Sequence, residues 1–248
     1  MGRLCVLLLV LSLVGCAHRA RSWLELEAMV QSNSRPETDR ALDEERRPVQ
    51  LLTFAQVGRD MQVGELVAGA GYTTELLALA VGPLGLVYGQ NPREVLEGRR
   101  VGHAWDERVK RLPNVLRVDR ELGDPFPADL TGALDLVISN ATYHDTAWLG
   151  TDRARMNRGV FRALKSGGLY VVCDSTAGEG RGDADALTLH RIEDATVKRE
   201  VLSAGFELDG DAGYLRNPSP NRDWNGSPIG RAEKPDERDR FCLRFRRP

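Results

Sequence analysis

Between residues 62 and 173, short apolar runs alternate with longer stretches of helical periodicity, and that alternation leaves the chain few architectures. The runs are 62–67 (QVGELV), 84–88, 115–118, 134–139 (LDLVIS) and 169–173 (LYVVC). Residues 72–81 (YTTELLALAV), 92–112 and 152–164 lie between them and space their apolar side chains as helices do. Gly82-Pro83, Pro113-Asn114 and Lys165-Ser166-Gly167-Gly168 supply the breaks. Strands separated by helices pair in parallel through crossovers, and strands apolar on both faces need helices on both sides of the sheet. A further helix over 187–204 precedes two closing strands, 206–208 and 241–245, which predict an antiparallel hairpin at one edge. The connection between them, 216–240, is rich in Pro, Gly, Asn and charge and reads equally as a lid or a disordered link.

Upstream, residues 22–47 carry helical patterning broken at Asn33-Ser34-Arg35-Pro36, with Pro36 suited to a helix first turn, and 50–57 predict a short helix leading into the domain. The first residues follow other rules. Arg3 precedes an apolar run, 4–14, too short to span a bilayer and of the length of a signal core. It ends in Leu13-Val14-Gly15-Cys16, which resembles a bacterial lipobox. That resemblance implies a signal peptide over 1–15, a lipid on Cys16 as the membrane anchor, and a place in the cell envelope. With Ala17 after the cysteine, the expected site in a Gram-negative host is the periplasmic face of the outer membrane. The chain then divides into 1–15, a tether and helical segment over 16–47, and a domain over 48–248. Export permits disulfides, but Cys173 and Cys242 sit inside apolar runs and are expected to be buried thiols. No Cys/His spacing resembles a zinc site, so the sequence implies no metal. Lys and Arg (34) nearly balance Asp and Glu (36), which gives a nucleic-acid partner no electrostatic support.

In an open parallel sheet, ligands bind beyond the carboxyl ends of the strands near the switch point. There the chain reads Glu65-Leu66-Val67-Ala68-Gly69-Ala70-Gly71-Tyr72. Glycines permit positive φ and close approach of a ligand to the backbone. The helix that follows offers N–H groups and a positive dipole end to a carboxylate. A dinucleotide fingerprint would require Gly or Ala at Thr74, and Thr74 breaks it.

The run resembles motif I of class I S-adenosylmethionine-dependent methyltransferases, with Val67 where that family has Gly and Glu65 where Asp is commoner. The Lys165–Leu169 turn is similar to the family's "LKPGG". The phrases "VGPLGLVYGQNP", "YHD" and "DRFCLRF" resemble a group of poorly characterised predicted bacterial methyltransferases. The resemblance covers roughly 48–248. It implies the Rossmann-like class I methyltransferase fold: α/β, with a mostly parallel seven-stranded sheet, a C-terminal antiparallel hairpin and helices on both faces. It also implies S-adenosylmethionine as cofactor and a small-molecule or lipid-like acceptor. By position, the cofactor-binding residues would be Glu65 toward the ammonium group, Gly69 and Gly71 in the turn, and Tyr72 covering the cofactor. Asn91, with Gln90, stands at the ribose position, where the family has a carboxylate. Asp119 stands at the adenine amino group and Asn140 toward the methyl-transfer region. His144 and Asp145, just after the fourth strand, are the catalytic candidates, His144 as base and Asp145 as its orienter or as a substrate-binding group. Asp174 reads as a pocket-shaping or turn residue. His190–Asp194 reads as an ordinary helix first turn, where acids suit the dipole. The alternative to an enzyme is a non-catalytic envelope binding protein on the same fold.

Overall fold

The structure, a computed structural model, describes residues 18–217, 221–227 and 238–248. The lipobox and Cys16 lie outside the described residues, as does much of 216–240. Seven strands form one sheet in the order β3-β2-β1-β4-β5-β7-β6: β1 Gln62–Leu66, β2 Leu86–Asn91, β3 Val115–Asp119, β4 Leu134–Asn140, β5 Leu164–Ser175, β6 Glu207–Asp211 and β7 Arg240–Arg246. The first five pair in parallel, while β7 runs antiparallel to both β5 and β6. The predicted closing hairpin is therefore present, with the last strand inserted beside β5.

Among the described residues, four short helices precede the sheet: α1 Trp23–Val30, α2 Glu37–Arg40, α3 Asp43–Arg46 and α4 Pro48–Phe54. Ser22 and Glu25 cap α1 reciprocally. Leu26 and Val30 of α1 share a core cluster with Leu52, Leu76 and Val87, so this segment packs onto the sheet. α5 Tyr72–Val81 has the predicted bounds. The single helix expected over 92–112 is two, α6 Arg93–Gly98 and α7 Gly102–Arg111, because Arg100 takes φ 53° between them. After α8 Asp145–Trp148 and α9 Arg153–Ala163, the helix expected over 187–204 is likewise divided into α10 Ala186–Leu189 and α11 Asp194–Ser203, with His190 at φ 51° in the break.

Alternation along β5 shows how the sheet is covered. Leu169, Val171 and Cys173 join the cluster under α1, α4, α5 and α7, while Tyr170 and Val172 join the one under α9 and α11. Cys173 lies opposite Cys242 in the β5–β7 register, and the two form a disulfide across 69 residues of chain. This corrects the expectation of two buried thiols: periodicity places each cysteine in a strand but cannot show that the strands are neighbours. No helix among the described residues is long and apolar enough to cross a membrane.

Candidate active site

The order of the sheet reverses between β1 and β4, and the segments leaving these strands form the site. After β1, Val67 takes φ 53°, Gly69 φ 59° and Gly71 φ 87°, and Gly71 caps α5. Positive φ in a β-branched residue is a strained state. Val67 thus adopts the conformation for which a glycine is the unstrained choice.

The two glycines of the turn have different reasons to be glycine. A Cβ on Gly71 would lie 2.9 Å from both Trp105 and Arg108, so this residue lets α7 pack beneath the turn. A Cβ on Gly69 would meet nothing within 4 Å. Gly69, not Gly71, therefore faces open space on its Cα side, where a ligand can approach.

Asn91 and Gln90 are fully buried. The Asn91 Oδ1 accepts from the Gly69 N–H at 2.8 Å, and its Nδ2 donates to the Gly69 carbonyl at 3.1 Å. Gln90 Oε1 accepts from the Val67 N–H at 3.1 Å, and its Nε2 donates to the Arg120 carbonyl at 2.6 Å. The residue expected at the ribose thus holds the turn. An amide can bind both the N–H and the carbonyl of one residue, whereas a carboxylate would only accept.

Glu65 is also turned inward. It is buried, and its Oε2 accepts from Thr74 at 2.5 Å. Burial raises its pKa to about 8 against the pull of Thr74, Thr73 and Arg108. At neutral pH it is largely uncharged and braces the first turn of α5 instead of offering charge to an ammonium group. Thr74, the residue that breaks the dinucleotide fingerprint, is thereby the partner of Glu65.

Tyr72 is bound to the N-terminal helices, its hydroxyl donating to Asp43 at 2.7 Å and its ring under Arg46 at 4.4 Å. Asp119 is exposed and ion-paired with Arg117, on a cleft of about 520 Å³ lined also by Arg93, Glu97 and Arg120 beyond β2 and β3. Asn140, at the end of β4, donates to Thr73 at 3.2 Å and so links the ends of β4 and α5.

The catalytic candidates meet four further residues, Asp174, His190, Arg99 and Trp148. Past Ala141, itself at φ 58°, His144 is 1% exposed and Asp145 fully buried. His144 Nδ1 lies 2.8 Å from Asp174 Oδ1, at the end of β5, and the His144 backbone N–H donates to Asp174 Oδ2 at 2.9 Å. His144 Nε2 lies 3.2 Å from Asp145 Oδ1 and 3.2 Å from His190 Nδ1. Asp145 in turn accepts from Arg99 at 2.5 Å and from Trp148 at 3.0 Å. Burial alone would lower the His144 pKa, but the carboxylates of Asp174 and Asp145 raise it to about 10. His144 and Arg99 hold Asp145 ionised down to about 2 against its burial.

The His144 expected as a base thus stands between two carboxylates, Asp174 and Asp145, which favour its protonated form. Adjacent His and Asp were visible in the sequence. Their joint environment was not, because Asp174 and His190 reach it from distant segments. His190, expected in a helix first turn, instead occupies the left-handed link between α10 and α11, and that conformation turns its ring onto His144.

No protein-family model matches the chain, and no curated protein matches it. Solved structures do. A methyltransferase dependent on S-adenosylmethionine from Aquifex aeolicus superposes with a TM-score of 0.59 at 16% identity, covering 91% of this chain and 98% of its own. A putative sarcosine dimethylglycine methyltransferase from Galdieria sulphuraria gives 0.59 at 14% identity, covering 85% and 87%. A putative methyltransferase from Bacillus halodurans gives 0.55 at 17%, covering 81% and 98%. The chain has the Rossmann-like class I methyltransferase fold.

Proposed function

We propose that the chain is an S-adenosylmethionine-dependent methyltransferase acting on a small or lipid-like acceptor. The observation that carries this reading is the Val67–Tyr72 turn: it sits at the switch point, has open space beside the Gly69 Cα, and leads into the N-terminus of α5. Fold alone would be analogy, since one fold hosts many functions. The turn supplies the chemistry, because N–H groups at a helix N-terminus receive a carboxylate.

The other positions fit unevenly. Asp119, exposed on the cleft beyond β3, suits an adenine amino group. The ribose position lacks a carboxylate, and its amides are engaged with the turn. When bound, S-adenosylmethionine supplies a methyl group on a sulfonium centre. The chain's task is then positioning and exclusion of water. Asn140, His144, Asp145 and His190 line the acceptor side. Asp174 and Asp145 balance the charges of His144 and Arg99, so the cluster fixes the ring of His144 without net charge toward an acceptor.

Lipid attachment at Cys16 and residence at the envelope belong to the same proposal. The Cys173–Cys242 disulfide supports it, since such bonds persist in oxidising compartments. No nucleic-acid partner is proposed.

A second reading, a non-catalytic binding protein on this fold, is favoured by the engaged Gln90 and Asn91 and by the strained Val67. Methyl transfer from labelled S-adenosylmethionine to a panel of small and lipid acceptors separates the two. Transfer that is lost on blocking Gly69 supports the enzyme. No cofactor binding and no transfer, from a chain shown to be folded, supports the second reading.

A further inference from the structure

The site holds more than a methyl-donor pocket needs. His144 Nε2, His190 Nδ1 and Asp145 Oδ1 converge so that one ligand atom from each residue lies within 4.8 Å of the others. Both distances from His144 Nε2 are 3.2 Å. Ligand atoms bound to one zinc ion at about 2.0–2.1 Å in tetrahedral geometry are roughly 3.3 Å apart. Two imidazoles and a carboxylate are a ligand set for first-row divalent metals, whereas magnesium and calcium prefer all-oxygen cages.

The surroundings of the three atoms are independent evidence. A metal-binding histidine normally directs its second nitrogen to a carboxylate or carbonyl, which fixes the tautomer and frees the other nitrogen. Asp174 does this for His144, gripping both its ring Nδ1 and its backbone N–H. A metal-binding carboxylate is usually hydrogen-bonded in turn. Asp145 is, with Arg99 on Oδ2 and Trp148 on Oδ1. His190 holds a positive φ to bring its ring into place and is the half-buried member of the three, giving the cluster a face toward solvent. An ordinary buried ion pair would need Asp174 or Asp145 but not a strained second imidazole.

We infer that His144, Asp145 and His190 form a binding site for one first-row divalent cation of the zinc type, at the carboxyl ends of β4 and β5. The ion replaces the proton on His144 Nε2, and the remaining coordination positions accept water or an oxygen or sulfur atom of a ligand. The binding of the ion stands on these residues alone. Its use, to gather an anionic acceptor beside the methyl donor, rests on the methyltransferase reading.

The test uses the full-length chain, stripped of metal with a chelator. Zn²⁺ is titrated by calorimetry, and Co²⁺ is titrated by visible absorption, which reports imidazole coordination. The expected result is one ion per chain. His190→Gln, at a half-buried position that folding tolerates, weakens it by about 100-fold, and Asp174→Asn by about 10- to 100-fold. His103→Gln, at an exposed residue outside the site, leaves it unchanged. An absence of stoichiometric binding in the wild type overturns the inference. So does binding that persists undiminished in both His190→Gln and Asp145→Asn. A parallel titration with S-adenosylmethionine separates the two proposals: a bound ion without cofactor binding overturns the methyltransferase reading and leaves the metal site, and the converse overturns the metal site alone.

Discussion

Asp174 holds His144 twice, accepting from its backbone N–H at 2.9 Å and facing its ring Nδ1 at 2.8 Å. Both residues are buried, so their charges depend on each other. Removing one partner of a buried pair leaves the other uncompensated, at a cost of about 3–5 kcal/mol. Asp174→Asn keeps the shape and removes one of the two carboxylates facing His144; with Asp145 still 3.2 Å from Nε2, the expected loss is smaller, about 1–3 kcal/mol. Urea unfolding at neutral pH measures it. An effect indistinguishable from a surface substitution would show that the pair does not form.

Glu65 gives the chain a particular pH dependence. Its folded pKa, about 8, lies above the ordinary glutamate value of 4.5. The folded form therefore holds the proton more tightly, and its stabilisation is complete below about pH 4.5 and lost as pH rises through about 8. Each unit of difference is about 1.4 kcal/mol, so the loss amounts to several kcal/mol. Glu65→Gln, uncharged at every pH, should flatten the fall in Tm between pH 5 and pH 9. An unchanged slope would mean that other groups dominate.

The two glycines of the turn should fail differently. Gly71→Ala places a methyl against Trp105 and Arg108 and requires α7 to move. It should destabilise by about 1–3 kcal/mol, as overpacking does. Gly69→Ala meets open space, so its cost is the modest one of positive φ, about 1 kcal/mol. Its main effect should be on ligand affinity. Thermal denaturation paired with cofactor titration checks both, and equal loss of stability at the two positions would contradict the division of roles.

Val67 is buried but strained, with φ 53°. Val67→Gly loses apolar burial yet relieves roughly 1–2 kcal/mol of left-handed strain. It should therefore cost clearly less than Val63→Gly or Val87→Gly, at equally buried positions within strands. Denaturant midpoints for the three variants decide the matter.

Much of the fold was legible because period and punctuation are local. The bounds of α5 follow from Gly71 and Gly82, and the closing hairpin follows from two strands with no helix between them. The misreadings share a physical origin. The breaks at Arg100 and His190 are non-glycine residues with positive φ, which carry no turn signature in the sequence. The disulfide depends on β7 returning to lie beside β5. His190 lies 46 residues from His144, so no spacing motif could join them, and only the link between α10 and α11 does so. The amides of Gln90 and Asn91 were seen as departures from a ribose-binding carboxylate. Their use as clasps on Val67 and Gly69 required the geometry.

The disulfide joins strands 69 residues apart in sequence, and a bond closing a loop of that length contributes about 2–4 kcal/mol. The double replacement Cys173→Ala and Cys242→Ala should lower Tm by several degrees, and a reductant should leave the double variant unaffected. A wild type equally insensitive to reductant under partly unfolding conditions would show the thiols to be free.

The central claim is that the turn after β1 binds S-adenosylmethionine. Calorimetric titration of the folded, full-length chain with S-adenosylmethionine and S-adenosylhomocysteine tests it most directly. Micromolar binding of both is expected, weakened by Gly69→Ala with the fold intact. No binding up to millimolar concentration, from a chain shown to be folded, would contradict it.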